Sequence, residues 1–295
     1  MPRPIASAFL VLASSLLVGC PNVAPPVHAP PSAEALLVRM KEERKDCLGV
    51  QANAKLDHFG SQGRFRGDVS MFAARPARVR MDIVSPFGAV LATLTSDGQT
   101  FGLFDTRGNR FFTGPASACN IARLTEVPLP GHVLVDLLRG QAPVLRHRPD
   151  AATFVWEPGG RYVVTVKGSR DAVEEIALAP HPADFAKPFA EQRLRVVHVT
   201  VKQAGHVLYD AELDGHEGAP SGKERVDPDG IDPPLPPIGG TCGVELPRRL
   251  RVSIPEDSAD VLFRYDQVTW NPPIPEGTFV QPTPAGIMPE RVVCE

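Results

Sequence analysis

A two-residue hydrophobic repeat, sustained from about residue 50 almost to the C-terminus, constrains this chain more than any other feature. Ala52, Ala54 and Leu56 alternate with Asn53, Lys55 and Asp57; Phe65, Gly67, Val69 and Met71 alternate with Arg64, Arg66, Asp68 and Ser70; Val79, Met81 and Ile83 alternate with Arg78, Arg80 and Asp82. Further runs follow at 90–95, 100–105 and 110–113, then at 154–156, 162–166, 173–178, 197–201, 207–213, 250–254 and 261–268. Successive side chains of a strand point to opposite faces, so each run buries one face and wets the other. Turn dipeptides such as Asp97-Gly98 and Gly108-Asn109 join neighbouring runs over short loops, as hairpins require. The pattern predicts an antiparallel sheet of about ten to twelve strands. The 32 prolines and 25 glycines agree, since proline breaks helix interiors.

Helical spacing occurs in three places only. Residues 32–46 carry Ser32 as a cap, Glu34 in the first turn, and Leu36, Leu37 and Met40 on one face. Two short pieces lie between Ala116 and Gly140; the second, HVLVDLLR at 132–139, is apolar nearly all round, as suits a helix lodged in a core or a concavity. Many one-sided strands with few helices to cover them imply a sheet curled on itself. The predicted fold is therefore α+β, mainly β: a curved antiparallel sheet forming an unclosed barrel, with helices over the open side. A two-sheet sandwich is the competing architecture. Segments 181–192 and 215–240 interrupt the repeat, the first as an excursion or helical turn, the second as an extended or mobile insertion.

The N-terminus indicates the compartment. Arg3 followed by an apolar run and Leu17-Val18-Gly19-Cys20 reads as a lipoprotein signal peptide over 1–19, with Cys20 as the acylated residue. Residues 20–31 form a Pro-rich tether, too rich in proline to pack, and 32–295 form the folded body. Pro21 rather than Asp after the anchor favours the outer membrane, periplasmic side. Several acyl chains together anchor stably where one would be marginal. In that oxidising setting Cys47, Cys119, Cys242 and Cys294 form two disulfides, for which three pairings exist; Cys242 with Cys294 and Cys47 with Cys119 are favoured.

The formal charge of −3, from 31 basic and 34 acidic residues, argues against a nucleic-acid partner. No hydrolase elbow, metalloprotease helix, P-loop or dinucleotide fingerprint is present, so the chain reads as no enzyme, with no cofactor and no metal site. The acidic turn at Asp227, Asp229 and Asp232 lacks the register of a calcium loop. Ser85-Pro86-Phe87-Gly88-Ala89 between two strand runs makes a tight hairpin tip, on which Phe87 projects into water unless the tip folds back.

In order along the chain come the lipobox, the N-terminal helix, Arg78–Ile83, Pro86-Phe87-Gly88, Asp97-Gly98, Phe111-Phe112-Thr113-Gly114, Leu124–Pro130 and HVLVDLLRG at 132–140. That order resembles the LolA/LolB-like outer-membrane lipoprotein family, best over residues 50–140. The resemblance implies the same unclosed barrel and an apolar interior that takes up acyl chains. It also implies that Pro86, Phe87 and Gly88 form the loop through which cargo passes to the membrane, with an aromatic where the family has an aliphatic residue. Inward-facing Val69, Met71, Val79, Met81 and Ile83, with Leu134, Leu137 and Leu138 from the apolar helix, would line the cavity. The implied partners are a lipid or acylated lipoprotein cargo and a LolA-like periplasmic carrier, the protein itself being a monomer. The rival is an envelope scaffold or sensor lipoprotein that uses the same fold for protein contacts.

Overall fold

The computed structural model describes residues 23–61, 63–85, 87–125 and 128–294. The expected signal peptide over 1–19, Cys20 and Pro86 lie outside the described residues. Fourteen strands form a single sheet: β1 (Gly49–Gly60), β2 (Gly63–Ala74), β3 (Arg78–Val84), β4 (Val90–Ser96), β5 (Thr100–Asp105), β6 (Arg110–Pro115), β7 (Ala152–Glu157), β8 (Arg161–Lys167), β9 (Ala172–Pro180), β10 (Leu194–Gln203), β11 (His206–Gly218), β12 (Glu245–Ile254), β13 (Ala259–Trp270) and β14 (Pro289–Arg291). Their order is β14-β6-β5-β4-β3-β2-β1-β13-β12-β11-β10-β9-β8-β7, so β14 and β7 are edges and the sheet does not close. All pairings are antiparallel except β14 on β6, which the alternation did not reveal because β14 is only three residues long.

Among the described residues three α-helices accompany the sheet: α1 (Ala33–Glu43), α2 (Ala118–Thr125) and α3 (Gly131–Leu138). Ser32 caps α1, its hydroxyl accepting the Ala35 N–H at 3.1 Å. α1 packs on β7 and β10, whereas α3 packs on β2 and β3. One continuous core joins Leu36, Leu37 and Met40 of α1, Leu137 and Leu138 of α3, Val69 and Met71 of β2, and Val164 and Ile176 of β8 and β9. Elements so far apart in strand order share one core only if the sheet curls around the helices, which is the unclosed-barrel architecture. A smaller cluster of Leu94, Phe101 and Ile121 sits beneath α2 near the β6 edge.

The register assigns the connections to two rims. The upper rim carries the start of β1 and the end of β13, paired at Val50 and Trp270, and the β7–β8 turn; the lower rim carries the β1–β2, β3–β4 and β5–β6 turns. The upper rim is heavily built. Asn271, fully buried at φ 45°, accepts the Leu48 and Gly49 N–H groups and donates to the carbonyls of Asp46 and Gly240. Segment 215–240 is no loose insertion: Gly222 N–H donates to the Trp270 carbonyl, and Ile238 lies so close to Gly49 that a Cβ there would meet it at 2.4 Å. Segment 181–192 folds into two 3-10 turns around buried Asp184, whose carboxylate takes the Arg193 guanidinium at 2.7 Å.

The sheet has fourteen strands rather than the ten to twelve expected, and two further expectations are corrected. The disulfides are Cys47–Cys242 and Cys119–Cys294. Strand order explains both, because β13 alone separates β1 from β12 at the upper rim, while β14 carries the C-terminal tail along β6 to α2. The Pro-rich segment 23–31 is docked rather than loose: Val23 exchanges backbone and indole hydrogen bonds with Pro158 and Trp156, each 2.9 Å, Val27 donates to Phe185, and Pro26 and Pro30 are buried. Proline lacks an N–H to satisfy, so a proline-rich strap can lie on a protein surface at little polar cost.

Candidate functional site

The eight residues expected to line a cavity divide into two groups. Val69, Met71, Val79, Leu137 and Leu138 are at most 2% exposed and are packed solidly into the main core. Met81, Ile83 and Leu134 are half-buried and lean on that core with Leu56. Height on the strand does not explain the division, because Val69 pairs with Ile83 and Met71 with Met81 at the same level; the β2 member of each pair is sealed and the β3 member is not. Met81 also touches the second cluster, along with half-buried Leu103 and Phe112. An apolar inner face therefore runs from Leu56 on β1 through Ile83 and Met81 on β3 to Leu103 and Phe112 on β5 and β6, with Leu134 of α3 above it. It retains access to solvent, and this is the candidate site.

Phe87 is 95% exposed at the lower end of that face. The hairpin is tight: Gly88 N–H donates to the Ser85 carbonyl at 2.9 Å, and the Ser85 hydroxyl accepts the Ala89 N–H at 3.0 Å. Gly88 sits at φ 82°, where a side chain would be strained. The tip thus holds Phe87 outward. Phe59 and Phe65, neighbours on the β1–β2 hairpin, are also exposed, at 53% and 37%. Neither was singled out from the sequence. Phe59 left a signal there, since it stands in the polar phase of its strand beside Asp57 and Lys55.

The polar groups of the interior anchor structure. Arg139 at the end of α3 is fully buried; it donates to Asp136 at 3.1 Å and to the Cys47 carbonyl, and burial pulls its guanidinium down to about 10. Tyr265 donates its hydroxyl to the Leu138 carbonyl at 3.1 Å. Glu174, inward on β9, accepts the Leu145 N–H at 2.7 Å, and burial pushes its carboxyl up to about 7. These contacts close the ends of α3 and of the loop that follows it. His198, on the outer face, pairs with Asp210 at 2.9 Å.

No family model matches the chain, and no curated protein matches it in sequence. Among solved structures it is similar to a DUF1329 family protein from Desulfovibrio piger, at 8% identity and a TM-score of 0.49, covering 84% of this chain and 95% of that one. It is also similar to a LolA superfamily protein from Nitrosomonas europaea, at 12% identity and a TM-score of 0.45, covering 85% and 98% of the two chains.

Proposed function

We propose that this chain is an outer-membrane lipoprotein, anchored through Cys20 on the periplasmic side, that holds a lipid acyl chain non-covalently and assists lipoprotein localisation. The observation that carries the reading is the half-open apolar face formed by Leu56, Met81, Ile83 and Leu134 beside a sealed core. A hydrocarbon chain laid there leaves water at about 0.8 kcal/mol per methylene, with no bond made or broken. Phe87 at the lower end of the face is the point where such a chain would pass into a membrane, and a LolA-like carrier would deliver it. Two disulfides suit an oxidising, extracytoplasmic compartment.

Native mass spectrometry of the Cys20→Ala chain, which has no covalent acyl group to confuse the count, tests this reading. A co-purifying lipid or acyl peptide is expected, lost on Ile83→Trp or Leu134→Trp without loss of the fold. A chain that never loads lipid, or whose adduct survives both substitutions, overturns it. Failure to load would favour the scaffold reading, which the solid packing of Val69, Met71 and Leu137 also suits.

A further inference from the structure

The lower rim is chemically lopsided. On the outer face of β1, β2 and β13, a groove of about 520 Å³ is lined by Lys55, Arg64, Arg66 and Arg264 against only two carboxylates, Asp57 and Asp68. Asp57 takes two guanidiniums at once, Arg64 Nε at 2.8 Å and Arg66 Nε at 3.1 Å, and the Arg64 hydrogen bond holds its carboxyl down at about 2. One carboxylate cannot neutralise two arginines, and both arginines are more than half exposed. Arg107, on the neighbouring β5–β6 turn, is exposed as well; the nearby Asp105 carboxylate accepts its backbone N–H. Phe59 stands exposed on the same face as Arg64 and Arg66, Phe87 and Val90 are exposed at the β3–β4 hairpin of the same rim, and Phe65 is exposed on the opposite face. Farther round the same rim the character reverses, with Glu256 and Asp257 on the β12–β13 turn and Asp260 beside them held by Arg251.

We infer that the β1–β6 side of the lower rim docks on an anionic lipid surface, with Phe59 and Phe87 entering the acyl boundary and Arg64, Arg66 and Arg107 meeting headgroup phosphates. Exposed aromatics beside a basic patch are what interfacial binding requires: apolar area supplies the insertion, and each cation near the surface adds attraction to anionic lipid. The acidic β12–β13 turn is repelled and tips the molecule so that Phe87 leads. A chain of net charge −3 has no general attraction to such a surface, so any preference for anionic lipid must come from this patch. The inference deepens, and rests on, the reading of Phe87 as a membrane-contacting tip; it does not require that the inner face hold an acyl chain.

The test places the reporter at the tip. The full chain carrying Cys20→Ala, which has no acyl anchor of its own, and Phe87→Trp is mixed with vesicles of phosphatidylcholine alone and of phosphatidylcholine with phosphatidylglycerol, and with soluble glycerol phosphate. Trp156 and Trp270 are at least half-buried, so a change belongs to residue 87. Expected is a blue shift on the anionic vesicles only, weakened by salt and cut roughly fivefold in apparent affinity by each of Arg64→Glu and Arg66→Glu. Emission that stays water-like on both vesicles, or shifts equally on both, overturns the inference. A response to glycerol phosphate equal to that on vesicles overturns it in favour of a soluble phosphate ligand. Lipid loading, read by mass spectrometry on the same variants, separates the two proposals: loss of loading with an intact blue shift removes the acyl-carrier reading and leaves the docking face standing.

Discussion

The two rims of this sheet are built from the same hairpin chemistry and finished in opposite ways. At the upper rim, Asn271, the Cys47–Cys242 bridge, segment 215–240 and the strap 23–31 pair the backbone densely, and the apolar side chains left exposed there, Val27, Val226 and Ile231, are aliphatic. At the lower rim the hairpins end bare, and aromatic side chains project beyond them. A protein that puts so much polar satisfaction into one end and leaves phenylalanine exposed at the other is divided between stability and contact.

The comparison is most sharply broken by removing the upper bridge. Cys47 and Cys242 are 195 residues apart, and replacing both with alanine is expected to cost about 4 kcal/mol, read as a lower urea midpoint; a loss below ~1 kcal/mol would show that the rim holds without its bridge. Next in size is Glu174. Its carboxyl, ordinarily near 4.5, stands at about 7 in the folded protein, so between those values the folded state binds more protons than the unfolded one. Stability therefore falls as pH rises from about 4.5 to 7, by about 3 kcal/mol in full. Glu174→Gln keeps an acceptor for Leu145 N–H and should flatten that slope, gaining most of this stability at pH 8; an unchanged profile would place the carboxylate in a wetter interior than its burial indicates. The smallest effect belongs to the bare rim. Phe87→Ser removes almost no buried area and should move thermal stability by no more than about 0.5 kcal/mol while abolishing vesicle insertion. A clear loss of stability would mean the tip serves the fold.

Much of this was legible in the residues. The alternation located thirteen of the fourteen strands, Ser32 marked the start of α1, and Gly140 marked the end of α3, where it takes φ 68° against Pro247. The same alternation told inward from outward, but not sealed from open. Met71 and Met81 are both inward methionines, directly paired across β2 and β3, yet one is fully buried and the other half-exposed. The difference lies in what covers each, which no local pattern encodes. The cysteine pairing failed for a related reason. Pairing Cys242 with Cys294 would have pinned the C-terminal tail, but partners are set by strand order, and a loop of 195 residues costs little more to close than one of 50.

By itself the sequence determined the elements: strands that bury one face, three helices to cover them, a hairpin tip that must hold an aromatic, and cysteines in number to form two bridges. Those follow from local rules, since backbone geometry ties side-chain direction to a period of two or 3.6. Only the tertiary structure decided which half of the apolar face is closed, which cysteines meet, that a proline-rich leader lies docked on the body, and that arginines and phenylalanines from separate hairpins share one rim. Each of these depends on how far the sheet curls and which distant strands become neighbours, a balance of burial over the whole molecule that no short stretch of chain contains.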